Sequence, residues 1–338
     1  MSKLSGCSKG SDTNVRRSHL TGNERRKSHM KLNQLLAVLV CLTFASLTWG
    51  QTNDEEVVKR TWRVGAHIQT AGSPVTNLLV TFPVPTDWPE QHVNVYEENI
   101  PDEARRADFR DTDGLRQMVA TIPRIDSGTA VEINVLMDIT ISKVHYPERT
   151  DHLVIPERPP REIRLYTSPS KLIENRKRVV KNKAKELTED VELAWDKAKA
   201  IYDFVTTEIT VEGKKVVGAE VALKHLKGAA EDRTNVFVAL CRAIKIPSRI
   251  VWADNGEYAE FYLQDDTGEG LWYPAVLEGS MEFGQMTNPR VIIQKGDNVK
   301  VPEKGPRQRF VREFVTGSGR GAQPRVRFMR DTLPSRDR

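Results

Sequence analysis

The chain is poor in the residues from which thiol and imidazole sites are built. Of its 338 residues, 3 are cysteine and 7 are histidine. Cys7 and Cys41 fall among the first fifty residues, so Cys241 is the one thiol beyond them. A single thiol excludes an intrachain disulfide framework in that part, and stability must come from packed cores, which this length permits. The last histidine is His225. Long apolar runs are also missing. The longest, Leu35–Leu47, has about 13 residues, where a membrane-spanning helix needs ~20.

What is present divides by composition. Residues 1–29 are polar and strongly basic, and MKLNQLLAVLVCLTFASLTWGQ follows from Met30. A basic start, a short apolar run and a small, polar end form the pattern of a secretory signal peptide. The expectation is a leader over 1–50 with the true start at Met30. Cleavage would leave an exported protein, periplasmic or extracellular; an uncleaved segment would tether it to a membrane. The net charge of +5 then belongs to the leader, and from Gln51 onward the chain is close to neutral. The basic balance is therefore no argument for nucleic acid, and none is expected as a partner. From Glu303 to the end, arginine and lysine again outnumber acids. With its Gly, Arg and Pro content, 317–338 reads as a disordered basic tail, able to dock on an anionic cell-envelope surface.

Residues 55–150 read as a β-sandwich-like domain. EINVLMDITI (Glu132–Ile141) alternates Ile133, Val135, Met137, Ile139 and Ile141 on one face; Val75–Phe82 and Leu115–Ile122 are further strands. A short helix could fall near Pro101–Asp108. HLVIPERPPREI (His152–Ile163) is a proline-rich boundary. Beyond it, 160–312 reads as a helical block followed by antiparallel strands, an α+β arrangement. Leu172, Ile173, Val179, Val180, Ala184 and Leu187 suggest one helix. Thr188-Glu189-Asp190 signals the start of a second, which carries Trp195 and Tyr202. A third spans Ala219–Lys227 and stops at Gly228. The fourth carries Val236, Phe237, Leu240, Cys241 and Ile244, and strands follow over 246–252, 258–264 and 271–276.

The order of these pieces resembles the transglutaminase-like superfamily, whose core is papain-like. The residues that carry the likeness are Ala198, Ile201-Tyr202-Asp203 and Val205; then Gly228, Asp232, Phe237-Val238-Ala239-Leu240, Arg242-Ala243, Ile246-Pro247 and Arg249; then Tyr258, Glu260-Phe261-Tyr262, Trp272 and Pro274. FGQM and IIQKGDNVKVPEK further on look like an extension of bacterial members. The resemblance implies a cysteine at a helix start, activated by a histidine that an acid or amide orients. It places the cysteine at Ala230, the histidine at Gly256 and the third group at Val276, none of which can attack, accept or donate with its side chain. No shift of register restores the family order, because Cys241 follows every histidine in the chain. Cys241 also lies eleven residues past Ala230, ~16 Å along a helix, on its apolar face.

No catalytic residue is therefore assigned. The family positions Ala230, Gly256 and Val276 are degenerate, and Glu231, Asp232, Tyr258, Glu260 and Trp272 are expected to line a remnant cleft. His145 and His152 lack metal-ligand spacing, so no metal or cofactor is expected. The expectation is an exported, catalytically inactive module that binds an unknown peptide, protein or acyl ligand. The alternatives are a hydrolase of altered chemistry using Glu231, Asp232, Asp254 or Glu260, and envelope docking through the basic tail.

Overall fold

The computed structural model describes residues 56–319 and 323–334. The expected signal segment and Met30 lie outside them. Among the described residues no helix is long and apolar enough to cross a membrane.

Six strands come first: β1 (Val57–Gln69), β2 (Val75–Val84), β3 (Gln91–Asn99), β4 (Arg106–Thr112), β5 (Leu115–Ile125) and β6 (Ala130–Ser142). Each predicted strand is present: β2 and β5 begin at their expected first residues and run further at the far end, and β6 extends at both ends. The stretch near Pro101–Asp108 turns and enters β4 rather than forming a helix. Two-residue alternation makes the core: Trp62, Val64, Ala66 and Ile68 of β1 meet Leu78, Val80 and Phe82 of β2 between two sheets.

The helical block contains α1 (Arg178–Thr188), α2 (Ala194–Glu208), α3 (Ala219–His225) and α4 (Ala230–Ala243). Two short strands, β7 (Thr210–Val211) and β8 (Lys227–Gly228), pair in parallel beside them. Three boundaries differ from the expected ones. Leu172 has φ 69°, a left-handed turn conformation, so the first helix starts only at Arg178. Thr188 closes α1, its hydroxyl donating to Ala184 O (2.8 Å), and α2 starts at Ala194 instead. The chain leaves α3 at Leu226 (φ 50°), two residues before Gly228. The glycine is instead required by a close approach: a Cβ on Gly228 would meet the Asp232 side chain at 2.7 Å.

The strands β9 (Ser248–Ala253), β10 (Gly256–Gln264) and β11 (Gly270–Val276) form the antiparallel sheet under these helices, followed by β12 (Glu282–Phe283) and β13 (Ile292–Lys295). Trp195 of α2 anchors this core. Its ring lies 5.1–5.5 Å from those of Tyr146, Phe261, Tyr273 and Phe283, mostly edge-on. β13 pairs with β9 on one side and meets β5 at Gln294–Leu115 on the other. One nine-stranded sheet therefore runs from the sandwich into the α+β part, in the order β12-β11-β10-β9-β13-β5-β2 and onward.

The predicted disordered tail requires correction. It contains β15 (Arg325–Leu333), which pairs with β1 over nine residues, and its first two residues close β14 (Phe314–Ser318), which pairs with β2. Val326 and Phe328 pack against the sandwich core while Arg325 and Arg327 stay exposed. The alternation was masked by arginine content. Two of the charges are neutralised within the fold, Arg330 by Glu313 and Arg63 of β1 by Asp331, each at 2.6 Å.

Candidate functional site

The site begins at the start of α4. Ala230 is its first residue and is half-exposed. Asp232, one turn in, is fully buried. Its carboxylate accepts from the backbone N–H of Gly218 (2.8 Å), Val217 (3.0 Å) and Ala229 (3.0 Å), and from Asn235 Nδ2 (3.1 Å). It satisfies the open N–H groups of a helix start and pins the preceding loop to it, a structural duty that removes it from the expected cleft. Glu231 is held from outside. Arg309 Nε donates to Glu231 Oε1 (2.9 Å) and Nη1 donates to Lys171 O (3.0 Å), while Nη2 also donates to Asn235 Oδ1. The same guanidinium lies 5.4 Å from the Trp252 ring.

The other two positions expected from the motif lie on strands of the sheet. Gly256 opens β10 with φ 97°, next to the Asp254-Asn255 turn. A Cβ there would meet Arg290 Nη1 alone, at 3.9 Å. Val276 ends β11, is buried, and accepts the Tyr202 hydroxyl at its carbonyl (3.0 Å). Arg233 of α4 reaches Glu278 (2.9 Å) just past it. The start of α4, the start of β10 and the end of β11 thus share one corner, and the side chains there supply no thiol, imidazole or carboxylate at Ala230, Gly256 and Val276.

β10 separates the remaining candidates by face. Ala259, Phe261 and Leu263 join the helix-side core, whereas Tyr258 packs with Val251 and Val276 on the opposite face. Tyr258, Glu260 and Trp272 line a mainly apolar cavity of about 500 Å³ on that opposite face, also bounded by Arg249, Met286 and Lys295. Glu231 and Asp232 do not line it. The five residues expected in one cleft are therefore divided by the sheet, because successive residues of a strand point to opposite sides.

A buried ion network borders the cavity. Glu260 accepts from Arg249 Nε (2.6 Å) and Lys295 Nζ (2.8 Å), and Lys295 also pairs with Glu90. The Arg249 guanidinium stacks 3.9 Å from the Trp272 ring. Burial alone would raise the Glu260 carboxyl, but the two cations overcome it and hold the group at about 2. Glu257, on the helix side of the same strand, goes the other way. Burial and then the Glu231 charge push it up to about 7, against the pull of Arg309. Asp254 is raised by burial and accepts from Val291 N (3.1 Å).

Sequence reasoning did not select Glu257, Arg309 or Lys295. Their signal was weak: Glu257 follows Gly256 in the motif, Lys295 falls in the IIQKGDNVKVPEK extension, and Arg309 lies in the arginine-rich stretch past Glu303. Cys241 is fully buried, and burial pushes its thiol up to about 12, away from the thiolate form that acts as a nucleophile. His225 is exposed at the end of α3, and His145 pairs with Glu56. Among the described residues no group of His, Cys, Asp and Glu is placed to hold a metal.

The helices packed on this antiparallel sheet, with the family motif order along them, define an α+β protein with a transglutaminase-like core. Residues 181–275 match the family described as the transglutaminase-like superfamily, and that segment is a transglutaminase-like domain. No curated protein matches the sequence. Among solved structures, the chain is similar to a "Putative Cysteine Protease" from Cytophaga hutchinsonii, at 15% identity and TM-score 0.53, covering 82% of this chain and 93% of that one. A second similar chain, a "putative protease" from Parabacteroides distasonis, has 16% identity and TM-score 0.25, covering 69% of this chain and 48% of that one. The first likeness supports the shared fold, sandwich included; the second carries no argument.

Proposed function

We propose that this protein is a catalytically inactive transglutaminase-like protein that acts by binding, exported by way of the segment from Met30. One observation carries the reading: the helix start where the fold would present a nucleophile is Ala230, while the one thiol of the described chain, Cys241, is buried and held in its neutral form. Binding is supported by the cavity lined by Tyr258, Glu260 and Trp272, whose volume lies in the range of roughly 300–1,000 Å³ that small-ligand sites occupy. The fold keeps a shaped, aromatic-walled hollow across the sheet from a helix start that carries no thiol.

The test is a substrate screen on the purified protein, across peptides, amides and glycosides, before and after iodoacetamide. The expected result is no thiol-dependent turnover, with ligand binding unchanged by alkylation. Thiol-dependent turnover would overturn the reading.

A second reading has one specific observation in its favour. Glu257 holds its proton to about pH 7 and lies within electrostatic reach of Glu231, the arrangement that acid–base chemistry by two carboxyls requires. It expects glycoside or ester turnover that Glu257→Gln abolishes; the same screen decides it.

A further inference from the structure

The cavity on the outer face of β10 has a charge imbalance that its apolar walls make significant. Four cations border it, Lys143, Arg249, Arg290 and Lys295, against two carboxylates, Glu90 and Glu260. Both carboxylates are already engaged: Glu260 bridges Arg249 and Lys295, and Glu90 pairs with Lys295. Lys143 and Arg290 are half-buried and form no ion pair with any described residue; Arg290 Nη1 donates to the Asn255 carbonyl (3.1 Å). His145, also at the rim, pairs with Glu56. Among the described residues these two positive charges thus lack an ion-pair partner, beside walls formed by Tyr258, Trp272, Pro274 and Met286. Charges near low-dielectric walls are poorly screened, so such a place favours an anion whose body is apolar.

We propose that the cavity binds a small amphiphilic monoanion: one carboxylate at the Lys143–Arg290 rim and an aliphatic or aromatic body against Trp272 and Tyr258. The inference rests on the binding reading above and names its ligand chemistry. A neutral apolar molecule satisfies the walls but leaves the cations hydrated by water alone. A cation meets like charge. An inorganic anion has no use for the aromatic walls. A carboxylate could be that of a free fatty acid or the C-terminus of a peptide ending in an apolar residue, and both present the same group to the same rim.

The experiment is a titration followed by tryptophan fluorescence and calorimetry. The probes are decanoate, decanol, decyltrimethylammonium and a blocked dipeptide with a free C-terminal phenylalanine. Each is measured on the wild type, Arg290→Lys, and the double charge reversal Lys143→Glu/Arg290→Glu. The thermal melt of each variant confirms folding. For the wild type, decanoate or the dipeptide should bind at least about tenfold tighter than decanol, the preference weakening with salt. Arg290→Lys should retain most of that preference, and the double reversal should abolish it while leaving decanol affinity unchanged. Stronger decanoate than dipeptide binding would assign the acyl source, and the reverse the peptide source. Equal binding of decanoate and decanol, or decanoate binding indifferent to the double reversal, would overturn the charge inference and leave the binding reading in place. No binding by any probe would overturn both.

Discussion

Two carboxyl groups three residues apart on β10 behave in opposite ways. Glu260, on the cavity face, is gripped by Arg249 and Lys295 and stays ionised down to about 2. Glu257, on the helix face, meets burial and the charge of Glu231, and keeps its proton to about 7. Strand and residue type are the same, and solvent and neighbours decide the rest. One face of the strand uses its acid to hold the sheet together, and the other leaves its acid able to titrate. A carboxylate's role therefore follows from which side of the sheet it points to, not from its place in a motif.

The strongest way to break this comparison is to remove the gripped acid. Glu260→Gln leaves Arg249 and Lys295 short of a buried counter-charge, and should cost about 3–5 kcal/mol in denaturant unfolding. Its pH signature has a definite sign. Because the folded pKa of Glu260 lies below its ordinary 4.5, its stabilisation is complete above that value and is lost as pH falls toward about 2. The variant should lack this acid-side slope; an unchanged slope would show that the ion network contributes little.

Next comes the free acid. The folded pKa of Glu257 is raised, so the folded state binds the extra proton between about pH 4.5 and 7, and stability falls as pH rises through that window. Glu257→Gln should flatten the fall and stabilise the protein at pH 8 by about 1 kcal/mol, a figure reduced for partial solvent screening. Loss of stability at pH 8 would show that the ionised group is held by Arg309 rather than repelled by Glu231.

The smallest stability effect, and the sharpest test of the corner itself, is Ala230→Cys. Replacement at a half-exposed helix start should shift stability by less than about 0.5 kcal/mol. The new thiol should react with iodoacetamide at neutral pH, its thiolate favoured by the helix N-terminus, while Cys241 stays unlabelled until the protein is unfolded. Equal labelling of the two would show that α4 is not packed as described.

Much of the fold was legible because it is written in local periodicity. Ile133, Val135, Met137, Ile139 and Ile141 alternate and are all buried in β6. Val236, Phe237, Leu240 and Cys241 recur at helical spacing and are all buried in α4. The candidate site was legible as an expectation for three positions, Ala230, Gly256 and Val276, in the order of the motif. It was not legible as a place. Glu231, Asp232, Tyr258, Glu260 and Trp272 read as one cleft because they cluster in the motif, and the sheet divides them. The C-terminal strands were hidden because arginines on the solvent side of β15 obscure the Val326 and Phe328 side.

By itself the sequence determined the α+β class, the transglutaminase-like order of its elements and the absence of any cysteine ahead of a histidine beyond the first fifty residues. These depend on residue identity and on spacings shorter than a helix. Only the tertiary structure decided that Arg309 would close on Glu231, 78 residues away, that Lys295 would pair with Glu260, 35 residues away, and that the last strand would lie against the first. A charged side chain reads the same in sequence whether water or a buried partner will neutralise it. The distinction is made only when the folded chain removes the water.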